Sequence, residues 1–201
     1  MTRIYRYILE TDSGMAPCID HGIVSLATCK PDIRKGARPG DWVLGFRPGS
    51  ARRGLVVWAG RVARIFEVGE YERKYSCVNR RGRSDAIYRE TSEERYERLL
   101  PCYHPGEKQF RKDTRSPVLM FDPEATWYFG SKPRLMPEHI VHLAAAGQGF
   151  RVNGTKAGDP ENLRHWLLSI ALADVHNPPT DRRLFSCLNA GNCLKNASWG
   201  C

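Results

Sequence analysis

The sequence predicts an α+β fold on a small, curved, mostly antiparallel β-sheet or barrel, with helices inserted and at the C-terminal end. Short runs rich in β-branched and aromatic residues are separated by Gly, Pro and Asp turns. Helical segments interrupt these runs without the regular strand-helix alternation of a doubly wound parallel sheet. Of 201 residues, 41% are hydrophobic and 26% charged, which excludes a disordered or collagenous chain. A chain of this length buries about 70% of its unfolded surface and needs no staples.

The elements follow in order. Ile4 to Leu9 reads as a strand that Thr11-Asp12-Ser13-Gly14 breaks. Residues 22–29 read as a second strand and residues 31–37 as a short helical turn or loop. Arg38-Pro39-Gly40-Asp41 is a turn in which Pro fixes φ, Gly admits positive φ and Asp bonds backbone amides. Strands over 42–46 and 55–66 follow, the second kinked at Gly60. Residues 70–75 and 91–100 read as helices, the latter from its Thr-Ser-Glu-Glu start. Residues 101–117 read as irregular. Strands over 118–121 and 126–129 flank a turn at 122–125. Pro137 opens a short helix, and residues 163–175 carry an amphipathic one. The expected organisation is one domain over 1–176 and a C-terminal extension over 177–201.

Charge points to the partner. Residues 30–115 hold 21 Lys and Arg against 12 acids, which equals the net +9 of the whole chain. A field of that sign attracts a polyanion and releases counterions from its phosphates. No tract reaches the ~18 apolar residues of a membrane span, and Met1 to Glu10 has no signal-peptide core. A cytoplasmic protein is expected, with reduced thiols among its seven cysteines. Cys187, Cys193 and Cys201 lack the spacing of a usual zinc site. His139 and His142 are three apart, but two ligands alone do not make a metal site, so no metal and no cofactor is expected.

The segment Gly40-Asp41-Trp42-Val43, a basic loop and then Leu55 to Val62 is similar to the barrel-forming part of PUA-like and EVE-like nucleic-acid-binding domains. A longer series resembles the nucleotide modification associated domain family of the second type. It runs through Tyr5-Arg6-Tyr7, Asp12 to Pro17, Leu26 to Arg34, Gly40 to Val43, Asp85 to Arg89, Val118 to Phe121 and Tyr128-Phe129-Gly130. Ala86 stands where the family pattern has Asn. The resemblance covers residues 3–150 and extends to the helix near 175. It implies a link to modified bases in DNA, in bacteria and phage, without establishing a reaction.

Two readings of the site follow. In the first, a nucleic-acid-binding module holds a modified or flipped base in an aromatic pocket. Trp58, Trp127 and Tyr128 are its walls, and Asp12, Cys29, Asp85 and Tyr88 complete the base site. Lys30, Arg52, Arg53, Arg80 and Arg81 contact phosphates. In the second, an enzyme acts on a nucleobase or nucleotide through Asp12, Cys29, Asp85 or His104. Lys30 beside Cys29 favours its thiolate, and His104 is a candidate general base. The expected partner is nucleic acid, DNA before RNA, or a nucleotide. A role as one subunit of a modification or defence system is a further expectation.

Overall fold

The computed structural model describes residues 2–49, 54–76, 82–92, 95–101, 103–145, 147, 149–171 and 177–180. Its first elements are β1 (Ile4–Ile8), β2 (Ser25–Leu26), α1 (Pro31–Gly36), β3 (Trp42–Phe46) and β4 (Leu55–Phe66). Then come α2 (Val68–Tyr75), β5 (Tyr88–Ser92), β6 (Arg95–Arg98), α3 (Glu107–Thr114) and β7 (Val118–Tyr128). The last are β8 (Arg134–Leu135), a 3-10 turn over Glu138–Leu143, β9 (Phe150–Arg151) and α4 (Asp159–Leu168).

The main sheet runs β2-β7-β4-β3-β1-β9, and β8 also pairs with β4. The β1–β3 pair is parallel and the other pairs are antiparallel. The sheet curls into a half-barrel, and β5 and β6 form a second small sheet. This is the predicted α+β class. Both faces of the central strands are covered, so β1 and β3 are buried along their whole lengths. On one face Leu163 and Leu167 of α4 pack with Ile4, Leu44, Phe46, Val56 and Trp127. On the other, Ile33 of α1 packs with Tyr7, Val43, Trp58, Phe121 and Tyr128. A third cluster joins α2 to β5 through Phe66, Val68, Tyr71, Ile87 and Tyr88.

The turn before β3 works as its residues predict. Gly40 has φ of 92°, and Asp41 accepts from the Arg38 and Arg3 backbone amides at 3.0 and 2.9 Å. The β4–β7 register shifts just after Gly60, where a kink is expected, and a Cβ on Gly60 would crowd Phe121.

Elsewhere tertiary structure overrides local signals. The strand expected over 22–29 is reduced to Ser25–Leu26. The two strands around 122–125 are one long strand, β7. Residues 95–98, expected to be helical, form β6 and pair with β5, because their exposure alternates with period two. Residues 107–114, expected to be irregular, form α3. The helix expected over 163–175 runs from Asp159 to Leu168, and 172–176 lie outside the described residues.

Gly45 supplies the room that Trp58 needs: a Cβ there would overlap the indole. Gly45→Ala is expected to lower the unfolding free energy by about 1–3 kcal/mol through overpacking. Urea denaturation should show a lower midpoint with an unchanged slope.

Candidate active site

Three backbone anomalies mark one place. Among the described residues, the non-glycine positions with positive φ are His21, Cys29, Lys30 and His104, at 57°, 58°, 43° and 51°. Left-handed backbone at such residues costs on the order of 1–3 kcal/mol each and persists where its surroundings fix it. Cys29, Lys30 and His104 all line one cleft of about 500 Å³. Cys29 and Lys30 lie between β2 and α1, and His104 lies just before α3. Two bonds hold the first loop: the Cys29 amide donates to Asp113 Oδ1 at 2.9 Å, and the Lys30 carbonyl accepts from the Arg34 amide.

At the cleft, Cys29 Sγ is 3.4 Å from His104 Nε2, and His104 Nδ1 is 2.7 Å from Asp113 Oδ2. The three are 75 and 9 residues apart in sequence. Tyr103 stacks on the imidazole at 4.4 Å between centroids, and its hydroxyl lies 3.4 Å from Thr28 Oγ1. A cysteine, a histidine and an orienting carboxylate in this order form the arrangement of an activated sulfur nucleophile. With its proton held on Nδ1 by the carboxylate, the imidazole turns the Nε2 lone pair toward the sulfur.

Asp113 is buried in the last turn of α3. Besides His104, it accepts from the Cys29 amide, from Tyr88 Oη at 2.9 Å and from Arg34 Nη1 at 3.2 Å. Arg34 is fully buried, and its other donors reach the carbonyls of Asp113, Ser116 and Pro117. Burial lowers its guanidinium to about 10 despite the Asp113 charge, so it remains a cation at neutral pH. Burial, and then the Asp113 charge, raise Tyr88 above the usual phenol range and keep it a donor. Cys29 is disulfide-bonded, against the expectation of reduced thiols, so a free nucleophile at this sulfur requires reduction.

The residues expected to wall a base pocket lie elsewhere. Trp58 is fully buried, donates to Tyr7 Oη at 3.0 Å and meets Phe121 edge-on at 5.0 Å. Trp127 stacks on Trp42 inside the α4-side core. Tyr128 is 1% exposed and donates to Asp12 Oδ1, while Thr180 N and Oγ1 donate to Asp12 Oδ2. No base can stack on these rings without opening the core, which corrects the expected pocket. Asp85 is also internal: Ser25 Oγ and Tyr71 Oη donate to it at 2.6 and 2.7 Å, and Arg83 lies 3.6 Å away. Tyr88 supports Asp113 rather than facing a ligand. Lys30 does line the cleft, with its ammonium 4.9 Å from the Tyr7 ring centroid, and burial pulls its pKa down. Arg52, Arg53, Arg80 and Arg81, and Cys187, Cys193 and Cys201, lie outside the described residues.

Sequence reasoning missed Asp113 and Arg34. The available signal was the spacing of Lys108, Arg111, Lys112 and Arg115, which is that of one exposed helix face and leaves Phe110 and Asp113 on the inner one. No group of three or more His, Cys, Asp or Glu suited to a metal occurs among the described residues. No helix among them is long and apolar enough to cross a membrane.

A family model described as nucleotide modification associated domain 2 matches residues 1–184. The chain belongs to that family. The match includes both arms of the cleft and residues 177–180, which dock on the domain through Asp12 and through the Ser131 amide to the Pro178 carbonyl. No curated protein and no solved structure matches the chain. The family description associates this domain with nucleotide modification.

Two measurements probe the supports of the cleft. Arg34→Met leaves the buried Asp113 charge without its partner and is expected to cost about 3–5 kcal/mol in chemical denaturation. Burial raises Tyr7, Tyr71, Tyr88, Tyr103 and Tyr128. Above about pH 10 the unfolded chain therefore binds fewer protons than the folded one, and stability falls as pH rises. The melting temperature is expected to drop steadily above that pH. The phenolate absorbance of these residues should appear together with unfolding, not before it.

Proposed function

We propose that the protein is an enzyme acting on a nucleobase or nucleotide in nucleic-acid modification, with reduced Cys29 as its nucleophile. The Cys29–His104–Asp113 alignment at a solvent-connected cleft supports this reading, and the family's association with nucleotide modification supplies the substrate class. His104 Nε2 takes the thiol proton while Sγ forms a bond to an electron-poor carbon of the substrate. The electron pair moves onto a substrate heteroatom or leaving group, and His104 returns the proton there. A water or other acceptor nucleophile, deprotonated by His104, then attacks the same carbon, and the Sγ–carbon bond breaks to release Cys29 as a thiolate. Asp113 acts through His104, holding its tautomer and stabilising the imidazolium.

The cleft is suited to an anionic substrate. Lys30, Lys108 and Lys112 line it beside the exposed carboxylate of Asp32, and Arg111, paired with Glu107, and Arg115 just past the end of α3 continue the exposed cationic face. In this reading they contact phosphates of a nucleotide or of a DNA strand whose base enters the cleft. A pure reader that stacks a base between Trp58, Trp127 and Tyr128 is disfavoured by the burial of those rings.

The test uses reduced full-length protein with a panel of mononucleotides and short single- and double-stranded oligonucleotides. Cys29→Ser and His104→Ala are each expected to lower turnover by about 10²-fold or more while binding changes little. Lys108→Glu with Lys112→Glu is expected to weaken binding and flatten its dependence on salt. Wild-type turnover by Cys29→Ser overturns the proposal.

A further inference from the structure

We propose that Cys29 is a reversible redox site, whose disulfide withholds the nucleophile until a dithiol reductant restores it. This inference rests on the reading of the cleft as a thiol active site. Cys29 is disulfide-bonded, yet its sulfur faces the His104–Asp113 pair at 3.4 Å. A disulfide that only cross-links the chain has no need of a buried imidazole and carboxylate aligned on one of its sulfurs. Those groups stabilise a thiolate, the form that Cys29 takes when the bond opens.

The chain holds seven cysteines, and Cys18 is free and buried. The partner is therefore one of Cys77, Cys102, Cys187, Cys193 and Cys201. Cys102 stands two residues before His104 in sequence, which makes it the first to test.

The chemistry balances with a dithiol as co-reactant. One thiolate of the dithiol attacks the partner's sulfur. The protein S–S bond breaks, and Cys29 leaves as a thiolate beside His104. A sulfur whose thiolate is stabilised is the better leaving group, so attack is directed to the other sulfur. The second thiol of the reductant then attacks the mixed disulfide and releases the partner cysteine. The dithiol is oxidised by two electrons to a disulfide, and its two protons end on the Cys29–His104 pair and the partner thiol. Cys29 lines the cleft, so the thiolate released there faces it.

Full-length protein is purified without reductant, and its free thiols are alkylated with iodoacetamide after denaturation. Peptide mass mapping is expected to find Cys29 unalkylated and linked to one of the five cysteines. After dithiothreitol treatment and its removal, native Cys29 is expected to label about 10-fold faster than Cys18, as an activated thiolate should. His104→Ala is expected to slow that labelling. Replacing the mapped partner by Ser, Cys102→Ser first, is expected to leave Cys29 reactive without dithiothreitol. Equal labelling of Cys29 before and after reduction overturns the proposal, as does reduced Cys29 reacting no faster than buried Cys18. Reductant-dependent labelling without nucleotide turnover sinks the proposed function and leaves the redox site standing. Cys29-dependent turnover in protein whose Cys29 is found as a free thiol without any reductant does the reverse.

Discussion

The buried ion pair of Arg34 and Asp113 is the constraint on which the cleft depends. Its charges lie 3.2 Å apart with both side chains almost wholly out of water. Such a pair survives only where further hydrogen bonds satisfy it, because desolvation opposes the Coulombic gain. Here the satisfaction is extensive. Three carbonyls take the remaining Arg34 donors, and Asp113 draws in the Cys29 amide, the Tyr88 hydroxyl and the His104 ring. One carboxylate thus ties α1, β5, α3 and the two strained loops together. Cys29 and His104, both at positive φ, bond the two oxygens of this one carboxylate, Cys29 through its amide to Oδ1 and His104 through Nδ1 to Oδ2. An apolar pair of similar volume would pack there, but it could not orient an imidazole.

The aromatic cluster and the thiol cleft share the α1-covered face of the sheet and differ in depth, the rings lying inside the core and the sulfur at the cleft. Tyr7, Trp58 and Tyr128 form a polar-tipped cluster within the core, ending on Asp12. The Trp58 indole donates to the Tyr7 hydroxyl, and the Tyr128 hydroxyl donates to Asp12, so each of these buried polar groups has a partner. Gly45 leaves room for the Trp58 ring, which marks a packed arrangement rather than an open pocket. The reactive groups lie instead on loops against α1 and α3, where a rigid scaffold can present side chains to solvent.

This division explains what the sequence could and could not reveal. Strands β3 and β4 were readable because their residues are apolar and β-branched and are bounded by turn chemistry such as Pro39-Gly40-Asp41. The helical start suggested by Thr91-Ser92 lost to hairpin pairing, in which Tyr88 faces Arg98 and Glu90 faces Tyr96. Helix α3 was hidden because its cations read as a solvated run rather than as one face. Cys29 and His104 were recognisable as reactive types. Their pairing was not, since it spans 75 residues and is created by a third residue, Asp113, whose own helix was not seen.

Charge within residues 30–115 is divided between buried pairs and exposed cations. Within residues 30–115 several acids are engaged internally: Asp41 with Arg3, Asp85 with Arg83, and Asp113 with Arg34. Glu107 meets Arg98 and Arg111 at the start of α3. Lys108 and Lys112 project from the exposed side of that helix and line the cleft, whose inner wall carries His104 and Asp113. Buried Asp113 orders Cys29 and His104, and the exposed lysines beside them set the sign of the field that an incoming molecule meets. A neutral metabolite gains nothing from that field. In the proposed reading a phosphate-bearing one is drawn to the wall where the sulfur lies, so the charge excess and the thiol serve one substrate class.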